Sequence, residues 1–508
     1  MKFATYEHFR ETESLVRKVN KDKIAKWLLN VGYFPEENIL PPSFTVSKEI
    51  KLQDTPYNIN INDLKKRQVA FVSFPKSTLT YRNFSVQHPW NYHDIIFYLH
   101  QNWDNILSHI FHSENKVAAY SFPIPVSKKD FEDLSPLRAG RMIYEWLEMA
   151  EEDLILDGQK FNILAKTDIT NFYPSIYTHG IGWAIHGREE ALEDKEFRLF
   201  GNKIDRLFQY SNDGRTNGIP IGSALSDLIA ETILADIDRK FSQESKHIEY
   251  AAVRFKDDYR ILCNSKENAK KLLDILSHQL SQYNLSLNES KTSFLNLPDG
   301  LYREHNRAYF PHVLRRKKYI SFRKFEHTLL IALDIHRKHP GTSIIEKFIA
   351  ELFDKRHNLK VSYSSQNRGK EIRKTISLLF LLKRESTKIL CHVLSVIERL
   401  YIENKRNDQG LKDFLRETIK DELDRASKMS SVFEIVWLVF FCRYISLGFQ
   451  NEDFDSIIKN EKIKENVFYK SIVTSKQELF KDTDFKLFTK PRACRDKTLA
   501  ERFAIFKR

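Results

Sequence analysis

The sequence predicts an α+β region followed by a long all-α region. In the first region, between about residues 150 and 300, short apolar strand patterns alternate with amphipathic helix patterns and a Gly/Pro loop. In the second, from Phe325 to the end, apolar helical patterns succeed one another and strand patterns nearly vanish. At 508 residues the chain is long enough for two or three domains with sizeable cores.

The segment 250–263 predicts a β-hairpin with two acids at its tip. Apolar, strand-like runs flank Asp257 and Asp258 on both sides. Adjacent carboxylates repel each other, so this arrangement loses stability unless a cation binds there, and Mg²⁺ prefers carboxylate oxygens. An Asp-Asp pair is also an ordinary turn dipeptide, so the pair alone does not establish a site.

Two further segments precede this hairpin. An apolar strand ends at Asp168 and is followed by the aromatic pair Phe172 and Tyr173 and by a proline that breaks the strand. Farther along, a Gly/Pro loop over residues 216–222 opens a helix that we expect to continue to about Lys240, with Ser223 or Ser226 as its N-cap.

Two elements are expected after the hairpin. Leucines and isoleucines recur at helical spacing from about Lys266 to Tyr283, which predicts an amphipathic helix. The stretch from Leu285 to Thr292 is then expected to form a short strand that carries Lys291.

These segments, in this order, resemble the palm of a reverse transcriptase over about Leu134 to Leu297. In that family an Asp is followed after a few residues by an aromatic pair, a G-x-P-x-G loop comes next, an aromatic-x-Asp-Asp hairpin follows, and a lysine ends the fourth motif. The matching residues here are Asp168, Phe172, Tyr173, Gly218, Pro220, Gly222, Phe255, Asp257, Asp258 and Lys291. The resemblance implies an α+β polymerase palm and fingers, the right-hand reverse transcriptase fold, followed by an all-α C-terminal domain in the place of a thumb.

The resemblance also implies a two-metal DNA polymerase. Its reaction is an in-line attack of a 3′-hydroxyl on the α-phosphate of a deoxynucleoside triphosphate, with two Mg²⁺ or Mn²⁺ ions as cofactors. Asp168 and Asp257 are the expected bridging ligands, Asp258 is a supporting carboxylate, and the Ile169 carbonyl is a backbone ligand. Lys291 is expected to protonate or stabilise the departing pyrophosphate, although a solvated lysine explains it equally well.

Several residues are expected to bind the nucleotide. Tyr173 is the fifth residue after Asp168, where reverse transcriptases place a ring beneath the sugar that clashes with a ribose 2′-hydroxyl. This position favours deoxynucleotides, although a core aromatic would explain the residue as well. The other expected nucleotide-binding residues are Phe172, Gly218, Pro220, Gly222, Arg138 and Arg141. The two arginines could grip phosphate oxygens, or they could be solvated residues at a helix start.

Departures from the common pattern point to one branch of the family. Ile221 stands where reverse transcriptases usually carry Gln, which puts conventional processive template copying in doubt. Together with the segment 175–187 and the long helical tail, this loop resembles bacterial abortive-infection or defence-associated reverse transcriptases. That resemblance implies antiphage defence, synthesis that is RNA-templated, untemplated or protein-primed, and partners such as a non-coding RNA, further copies of the chain or a partner protein. His179 and His186 belong to this segment, and we expect them to pack or form hydrogen bonds.

Two other functions remain open. A retron or mobile-element reverse transcriptase is the enzymatic alternative. An RNA-binding scaffold with a silent palm is the non-enzymatic one, and the retained Asp168, Asp257 and Asp258 speak against it, because a decayed site would tolerate Asn or Ala.

The charge of the chain suits a polyanionic partner, RNA or DNA. The formal net charge is +13, and many cations concentrate in residues 303–324, which we call the basic span. Arg315, Arg316, Lys317 and Lys318 are the expected nucleic-acid-binding residues, and Tyr309, Phe310, Tyr319 and Phe322 are interleaved around them. Cations would neutralise phosphates while rings stack on bases, although a solvated basic linker is an equal alternative.

The patterns divide the chain into four parts. We expect an N-terminal extension and fingers over residues 1–150, the palm over 151–300, a basic connector over 301–325, and an α-helical, thumb-like domain over 326–508. A HEAT-like array is one interpretation of the last part, although no repeat period is visible.

The remaining features favour a reducing cytoplasm, which the resemblance to defence-associated reverse transcriptases implies is bacterial. The four cysteines form no C-x-x-C pair, which fits a reducing compartment better than a disulfide scaffold or a zinc site. The first ten residues contain no apolar signal segment. The longest fully apolar run, 435–442, is too short to cross a bilayer, so we expect no membrane partner.

Overall fold

The computed structural model of the chain describes residues 3–57, 60–76, 80–126, 134, 138–405, 408 and 410–503, except for the side chains of residue 61 and residues 138–141. The described chain forms two compact units. The first contains residues 1–35, 49–70 and 85–302, and the second contains 36–48, 71–84 and 303–508. The second unit therefore includes two segments from the N-terminal part of the sequence.

The strands of the described chain form one five-stranded sheet and two small two-stranded sheets. In chain order the strands are β1 Ala70–Pro75, β2 Tyr81–Val86, β3 Val117–Ala119, β4 Ile163–Asp168, β5 Tyr250–Phe255, β6 Asp258–Cys263, β7 Ser293–Asn296, β8 Ile320–Ser321 and β9 Val361–Ser362. The large sheet has the order β3-β5-β6-β4-β7 and lies within the first unit. Its β3–β5 pair is parallel and its other pairs are antiparallel.

The first unit also contains helices. They are α1 Ala4–Lys18, α2 Lys21–Asn30, α3 Ile61–Leu64, α4 Pro89–Gln101, α5 Trp103–Ile110, α6 Arg138–Leu147, α7 Leu154–Gly158, α8 Phe172–Ser175, α9 Gly180–His186, α10 Arg188–Glu193, α11 Phe200–Tyr210, α12 Ala224–Glu244 and α13 Lys266–Ser281. A π-helical turn over Glu148–Asp153 connects α6 to α7. Helices α1, α12 and α13 contact strands of the large sheet. Strands β5 and β6 are buried along almost their whole length, and each combines apolar residues with one buried arginine, Arg254 in β5 and Arg260 in β6.

The second unit is mostly helical. Its helices are α14 Glu304–Tyr309, α15 Phe322–Lys338, α16 Ile344–Glu351, α17 Arg368–Glu385, α18 Leu390–Asn404, α19 Gly410–Lys428, α20 Val432–Ile445, α21 Asn451–Ile457, α22 Glu461–Glu465, α23 Val467–Thr474 and α24 Leu499–Arg502. Helix α20 is buried on all sides, which explains its apolar sequence. The helical character predicted from Phe325 onward is confirmed, whereas a HEAT-like repeat stays a prediction.

The N-terminal segments of the second unit complete its core. The Trp437 indole N–H donates to the Ile39 carbonyl oxygen at 3.3 Å. The ring of Phe44 lies 5.1 Å from that of Phe468, and the ring of Phe74 lies 4.9 Å from that of Phe433. The boundaries 150, 300 and 325 stay predictions, but residues 36–48 and 71–84 group with the helical unit, a grouping that sequence order does not suggest.

The predicted elements around the acids are largely confirmed. Helix α12 begins at Ala224, and the Ser223 side chain caps it by accepting from the Ser226 N–H. Helix α13 ends two residues before the expected Tyr283. One expectation is wrong: Lys291 lies in a 3₁₀ turn over Glu289–Lys291, and the strand β7 begins only at Ser293. Polar residues at 288–292 favour this turn, because Asn and Ser side chains compete with a regular ladder.

Among the helices within the described ranges, none is long and apolar enough to span a membrane.

Candidate active site

Three acids lie close together at one end of the strands of the large sheet, where β4 ends and β6 begins. Asp168, the last residue of β4, is the Cα partner of Asp258, the first residue of β6. Asp257 lies in the turn between β5 and β6, and its carbonyl oxygen accepts a hydrogen bond from the Ile169 N–H at 3.0 Å. The end of one strand and the tip of the neighbouring hairpin therefore bring together acids that lie about ninety residues apart in sequence.

The electrostatics of Asp258 reflect this proximity. Partial burial raises the pKa of Asp258, and the negative charges of Asp168 and Asp257 raise it further, while Arg260 and Lys166 oppose the rise. The Arg260 Nη2 atom lies 3.9 Å from Asp258 Oδ2, and the Asp258 side chain keeps 42 % of its surface exposed. The acids thus form a negatively charged cluster that is open to solvent.

Lys291 contacts this cluster directly. Its Nζ donates to Asp168 Oδ2 at 2.9 Å, and its side chain is 55 % exposed. The Asp168 backbone is also fixed, because its carbonyl oxygen accepts from the Asn288 N–H at 2.7 Å. Lys291 therefore supplies a half-exposed cation beside the acids.

The residues present fit a hard divalent cation. Carboxylates are the ligands that Mg²⁺ prefers, and the mutual repulsion around Asp258 is the electrostatic state that a cation would relieve. Within the described ranges, however, no group of three or more acid, histidine or cysteine side chains is already arranged to hold a metal. Asp168, Asp257 and Asp258 would have to adjust their side chains to bind one.

A buried polar network supports the hairpin. The fully buried Arg254 donates from Nη2 to Glu231 Oε2 and from Nε to Asp238 Oδ2, each at 2.9 Å. The Tyr259 hydroxyl donates to the other oxygen of Asp238 at 2.7 Å. Both acids lie on α12, so charge pairs attach the hairpin to that helix. Every charge in the network has a partner, as burial requires.

The network also fixes the turn itself. Lys256 has a φ of +54°, a left-handed conformation that costs a non-glycine residue roughly 1–2 kcal/mol. The Lys256 N–H donates to Ser121 Oγ at 2.7 Å, and its carbonyl oxygen accepts from Arg254 Nη1 at 3.2 Å. The Ser121 hydroxyl in turn donates to Glu231. These bonds hold Asp257, the next residue, at the tip.

The Gly/Pro loop packs against the segment after Asp168. Gly218 has a φ of +87°, and a Cβ there would lie 3.1 Å from the Pro174 carbonyl oxygen. The Gly218 N–H donates to Ile176, and the Ile219 N–H donates to the Tyr173 carbonyl oxygen at 3.1 Å. Pro220 and Gly222 are buried. Close backbone packing therefore explains Gly218, while nucleotide contacts of this loop stay predictions.

The two residues of the aromatic pair differ in exposure: the Phe172 ring lies in the core, and the Tyr173 ring is partly accessible to solvent. Phe172 is only 3 % exposed, so its position supports packing and does not support direct contact with a nucleotide. Tyr173 is half-buried, and its hydroxyl donates to Asp227 Oδ1. Lys256 Nζ lies 3.3 Å from the other oxygen of Asp227.

Sequence reasoning missed the roles of Asp227, Lys256, Arg254 and Glu231. Two signals were present: Asp227 is an acid in the first turn of the helix after the Gly/Pro loop, and Lys256 directly precedes the Asp-Asp pair. The partner of each residue, by contrast, depends on how α12 packs against the hairpin. Arg138 and Arg141 lie in α6, but their side chains fall outside the described part of the structure.

The histidines of the segment 175–187 form hydrogen bonds, as predicted. His179 Nδ1 lies 2.5 Å from Asp205 Oδ2, and this bond raises the pKa of His179. His186 Nε2 accepts from the Gly201 N–H at 3.1 Å. Both residues therefore link α9 to α11.

In the second unit, the basic span contains an exposed loop with buried ends. Residues 315–319 are exposed, whereas Leu314 and Ile320 on either side are each 1 % exposed. The Leu314 N–H donates to Glu351 at 2.8 Å, and Lys360 Nζ donates to the Leu314 carbonyl oxygen at 3.0 Å.

The aromatic residues of the span fall into two groups. Phe310 and Tyr319 are 77 % and 69 % exposed, so they remain available for stacking. Tyr309 and Phe322 are buried, so the expectation that they stack on bases is wrong: the core of the second unit encloses them.

Comparison with known proteins shows a family similarity for the middle part of the chain. Residues 122–322 match the family model "Reverse transcriptase (RNA-dependent DNA polymerase)". This part of the chain is accordingly similar to a reverse transcriptase domain and has the reverse transcriptase fold, and a mostly helical region follows it. No curated protein matches the chain.

Several telomerase structures are similar to this chain at low identity. Apo telomerase of Candida tropicalis lacking its C-terminal domain shares 16 % identity over 49 % of this chain and 52 % of that protein, with a TM-score of 0.30. Candida albicans telomerase with a fragment of telomeric RNA shares 10 % identity over 80 % of this chain and 68 % of that protein, with a TM-score of 0.29. This chain thus spans about half the length of the first of these structures.

Proposed function

We propose that the chain is a two-metal DNA polymerase that uses Asp168, Asp257 and Asp258 to bind Mg²⁺ or Mn²⁺ and extends DNA from deoxynucleoside triphosphates. The observation that carries this proposal is the pairing of Asp168 with Asp258 beside the hairpin tip that presents Asp257. The matching reverse transcriptase family model over the same residues supports it.

Each acid has a distinct part in this proposal. Asp168 and Asp257 hold the metals, Asp258 adds charge, and the Ile169 carbonyl is available as a backbone ligand. When bound, the metals stabilise the attacking and leaving oxygens of the displacement. Lys291, which pairs with Asp168 in this structure, would donate a proton to the departing pyrophosphate or stabilise its negative charge.

Tyr173 supports the choice of deoxynucleotides. Its ring is half-buried and directly follows the buried Phe172, with the two ring centroids 5.1 Å apart. A ring at this place would leave no room for a ribose 2′-hydroxyl. Gly218, Pro220 and Gly222 form the adjacent wall, and Arg138 and Arg141 are proposed ligands of the triphosphate.

The decisive experiment is nucleotide incorporation by the purified full-length chain. Each deoxynucleotide is supplied singly and in mixtures, with Mg²⁺ or Mn²⁺, and with and without the RNA that co-purifies. Asp257→Asn should abolish synthesis, while Asp274→Asn, at an exposed acid on α13, should retain it. If Asp257→Asn retains the wild-type rate, the proposed metal site is wrong.

Sequencing the product separates templated from untemplated synthesis. RNA-templated copying gives DNA complementary to the added RNA, whereas untemplated or protein-primed synthesis gives DNA that does not depend on that RNA. Protein priming additionally leaves the product attached to the chain after denaturation. Product of retron type would instead be one defined DNA copied from one associated RNA.

The exposed basic loop supports RNA or DNA as a partner. Arg315, Arg316, Lys317 and Lys318 are exposed cations beside the exposed Tyr319 ring, a combination suited to phosphates and bases. We propose that this loop binds a nucleic acid, such as a template, product or non-coding RNA. The helical unit is also the proposed site of oligomer or partner-protein contacts.

We propose antiphage defence in the bacterial cytoplasm as the biological role, on the resemblance of the loop and the segment 175–187 to defence-associated enzymes. Phage plating on cells that express the wild-type chain, or Asp257→Asn at equal protein level, tests this role. Protection that disappears in the variant supports defence through DNA synthesis. Equal protection by both proteins would favour a scaffold with a silent palm, and no protection by either would remove the role.

A further inference from the structure

The Tyr173 ring is attached to two other elements through one buried carboxylate. Its hydroxyl donates to Asp227 Oδ1, and Asp227 lies in the first turn of α12 with only 5 % of its surface exposed. The second oxygen of Asp227 lies 3.3 Å from the Nζ of Lys256, the residue before the Asp-Asp pair. One carboxylate thus joins the ring, the helix after the Gly/Pro loop and the metal-binding hairpin.

All three members of this contact have fixed backbones. The Tyr173 carbonyl oxygen accepts from the Ile219 N–H at 3.1 Å. The Ser223 cap fixes the start of α12, and the position of Asp227 in the first turn is favourable because the helix N-terminus attracts negative charge. Ser121 and Arg254 hold Lys256. The hydrogen bond to Asp227 therefore holds the hydroxyl end of the Tyr173 side chain in one position.

Selectivity by a ring depends on its position, because misplacement of a group by about 1 Å can change a rate by about 100-fold. A tyrosine without a partner for its hydroxyl would sample several ring positions, whereas the bond to Asp227 selects one. The contact with Lys256 orients the Asp227 carboxylate, and charge-assisted hydrogen bonds are the stronger ones.

We propose that Asp227, held by Lys256, is the positioning residue for Tyr173 and thereby sets how strongly the polymerase prefers deoxynucleotides to ribonucleotides. The inference rests on the proposed function, in which Tyr173 lies beneath the sugar. Asp227 itself touches neither the substrate nor the metals in this proposal and acts through the ring alone.

The measured quantity is the discrimination ratio, the kcat/KM for a deoxynucleotide divided by that for the matching ribonucleotide. It is obtained with the full chain by extension of oligo(dT) on poly(rA) with dTTP or UTP. Equilibrium binding of dTTP and UTP to the same proteins gives a second ratio that needs no template. Asp227→Asn and Tyr173→Phe should each lower the ratio about 3–10-fold, the range expected for loss of one hydrogen bond.

A double variant separates positioning from a general loss of structure. If Asp227 acts through the Tyr173 hydroxyl, then Tyr173→Phe combined with Asp227→Asn should lower the ratio no further than either change alone. Lys256→Met should lower it in the same direction, because Asp227 loses its orienting charge. Asp227→Ala, a larger change, should also lower the ratio, and Asp227→Glu should restore part of it.

The chain offers a matched control on the same helix. The Tyr283 hydroxyl donates to Asp236 Oδ2 at 2.5 Å, and Lys240 Nζ lies 2.7 Å from that oxygen. Asp236 is likewise buried on α12, but its tyrosine is not the proposed gate. Asp236→Asn and Tyr283→Phe remove the same chemistry and should leave the discrimination ratio unchanged.

The outcomes are distinguishable. An unchanged ratio in Tyr173→Ala overturns the gate itself and with it this part of the proposed function. A ratio that falls in Tyr173→Ala but not in Asp227→Asn overturns only the positioning role of Asp227. An equal fall in Asp227→Asn and Asp236→Asn, or additive losses in the double variant, also overturns it, because the effect would then be a general weakening of α12.

Discussion

Asp168, the last residue of β4, lies opposite Asp258, the first residue of β6, in an antiparallel pair. Since successive side chains of a strand point to opposite faces, a shift of one residue in this register would separate the two carboxylates. The register is fixed by the buried apolar residues of both strands, so the core of the sheet determines where the charges meet.

The first prediction concerns the charge of this pair. Asp258→Asn should lower synthesis more than about 100-fold, because loss of even a group that supports a metal ligand costs about 10–100-fold. Without metal, the same change should raise the free energy of unfolding by up to about 1 kcal/mol, because it removes repulsion from a half-exposed site. Urea unfolding of both proteins in metal-free buffer measures this difference in the free energy of unfolding.

Added Mg²⁺ provides the complementary measurement. Wild-type protein should gain thermal stability as the metal concentration rises, because a ligand that binds only the folded state stabilises it, and Asp258→Asn should gain less. Equal gains in thermal stability for both proteins would contradict the assignment. An Asp258→Asn protein that is less stable than wild type without metal, and that keeps the full synthesis rate with metal, would also contradict it.

The second prediction concerns Tyr173. Tyr173→Ala should open space under the sugar and raise the use of ribonucleotides relative to deoxynucleotides by about 10-fold or more, the scale of selectivity from shape in a pocket. Single-turnover incorporation measures the two rates. Tyr177→Ala, at another half-buried tyrosine nearby, serves as the control and should keep the wild-type ratio.

The third prediction concerns the buried network beneath the hairpin. Arg254→Met leaves Glu231 and Asp238 buried without their cation and should cost about 3–5 kcal/mol of the free energy of unfolding. Arg239→Met removes an arginine that pairs with Asp236 but is 28 % exposed, and it should cost about 1 kcal/mol or less. Urea unfolding measures both losses. If the two variants lose similar free energies of unfolding, then burial of the ion pairs of Arg254 does not make them more important for stability than the partly exposed pair of Arg239.

The fourth prediction concerns the exposed basic loop. Charge reversal at Arg315, Arg316, Lys317 and Lys318 should weaken binding of single-stranded RNA or DNA and reduce the slope of log affinity against log salt by up to about 3, because each phosphate contact contributes about 0.7. Fluorescence anisotropy over a series of salt concentrations measures this slope.

A control for net charge is available in the same unit. Lys412, Lys420, Arg425 and Lys428 are four exposed cations on α19. Their reversal changes the total charge equally and should preserve most of the slope. If both variants flatten the slope alike, the binding depends on overall charge and not on the basic loop.

The fifth prediction concerns pH and the core of the second unit. Burial lowers the pKa of His392 to about 4, below its ordinary value of about 6.5. Between these values the unfolded chain binds a proton that the folded chain excludes, so stability should fall as the pH falls through this window. His392→Gln should reduce this slope in urea unfolding, and His327→Gln, at an exposed position, should leave it unchanged. Parallel pH profiles for wild type and His392→Gln would contradict it.

The sequence alone determined the local elements and the identity of the acids. The hairpin, α12 with its Ser223 cap, α13 and the C-terminal helices follow from apolar periodicity and capping residues, which act over a few neighbouring positions. The segment of Lys291 is short and polar, so periodicity carries little information there, and the predicted strand is a 3₁₀ turn in the structure.

Tertiary structure decided which distant residues meet. The sequence contains Asp227 and Lys256 but not the fact that they share a contact with the Tyr173 hydroxyl, because that depends on how α12 packs against the hairpin. In the same way, residues 36–48 and 71–84 join the helical unit through contacts such as Trp437 with Ile39, far apart in sequence. Periodicity reports which face of an element is buried, whereas the partner that buries it is selected only by the packing of the whole chain.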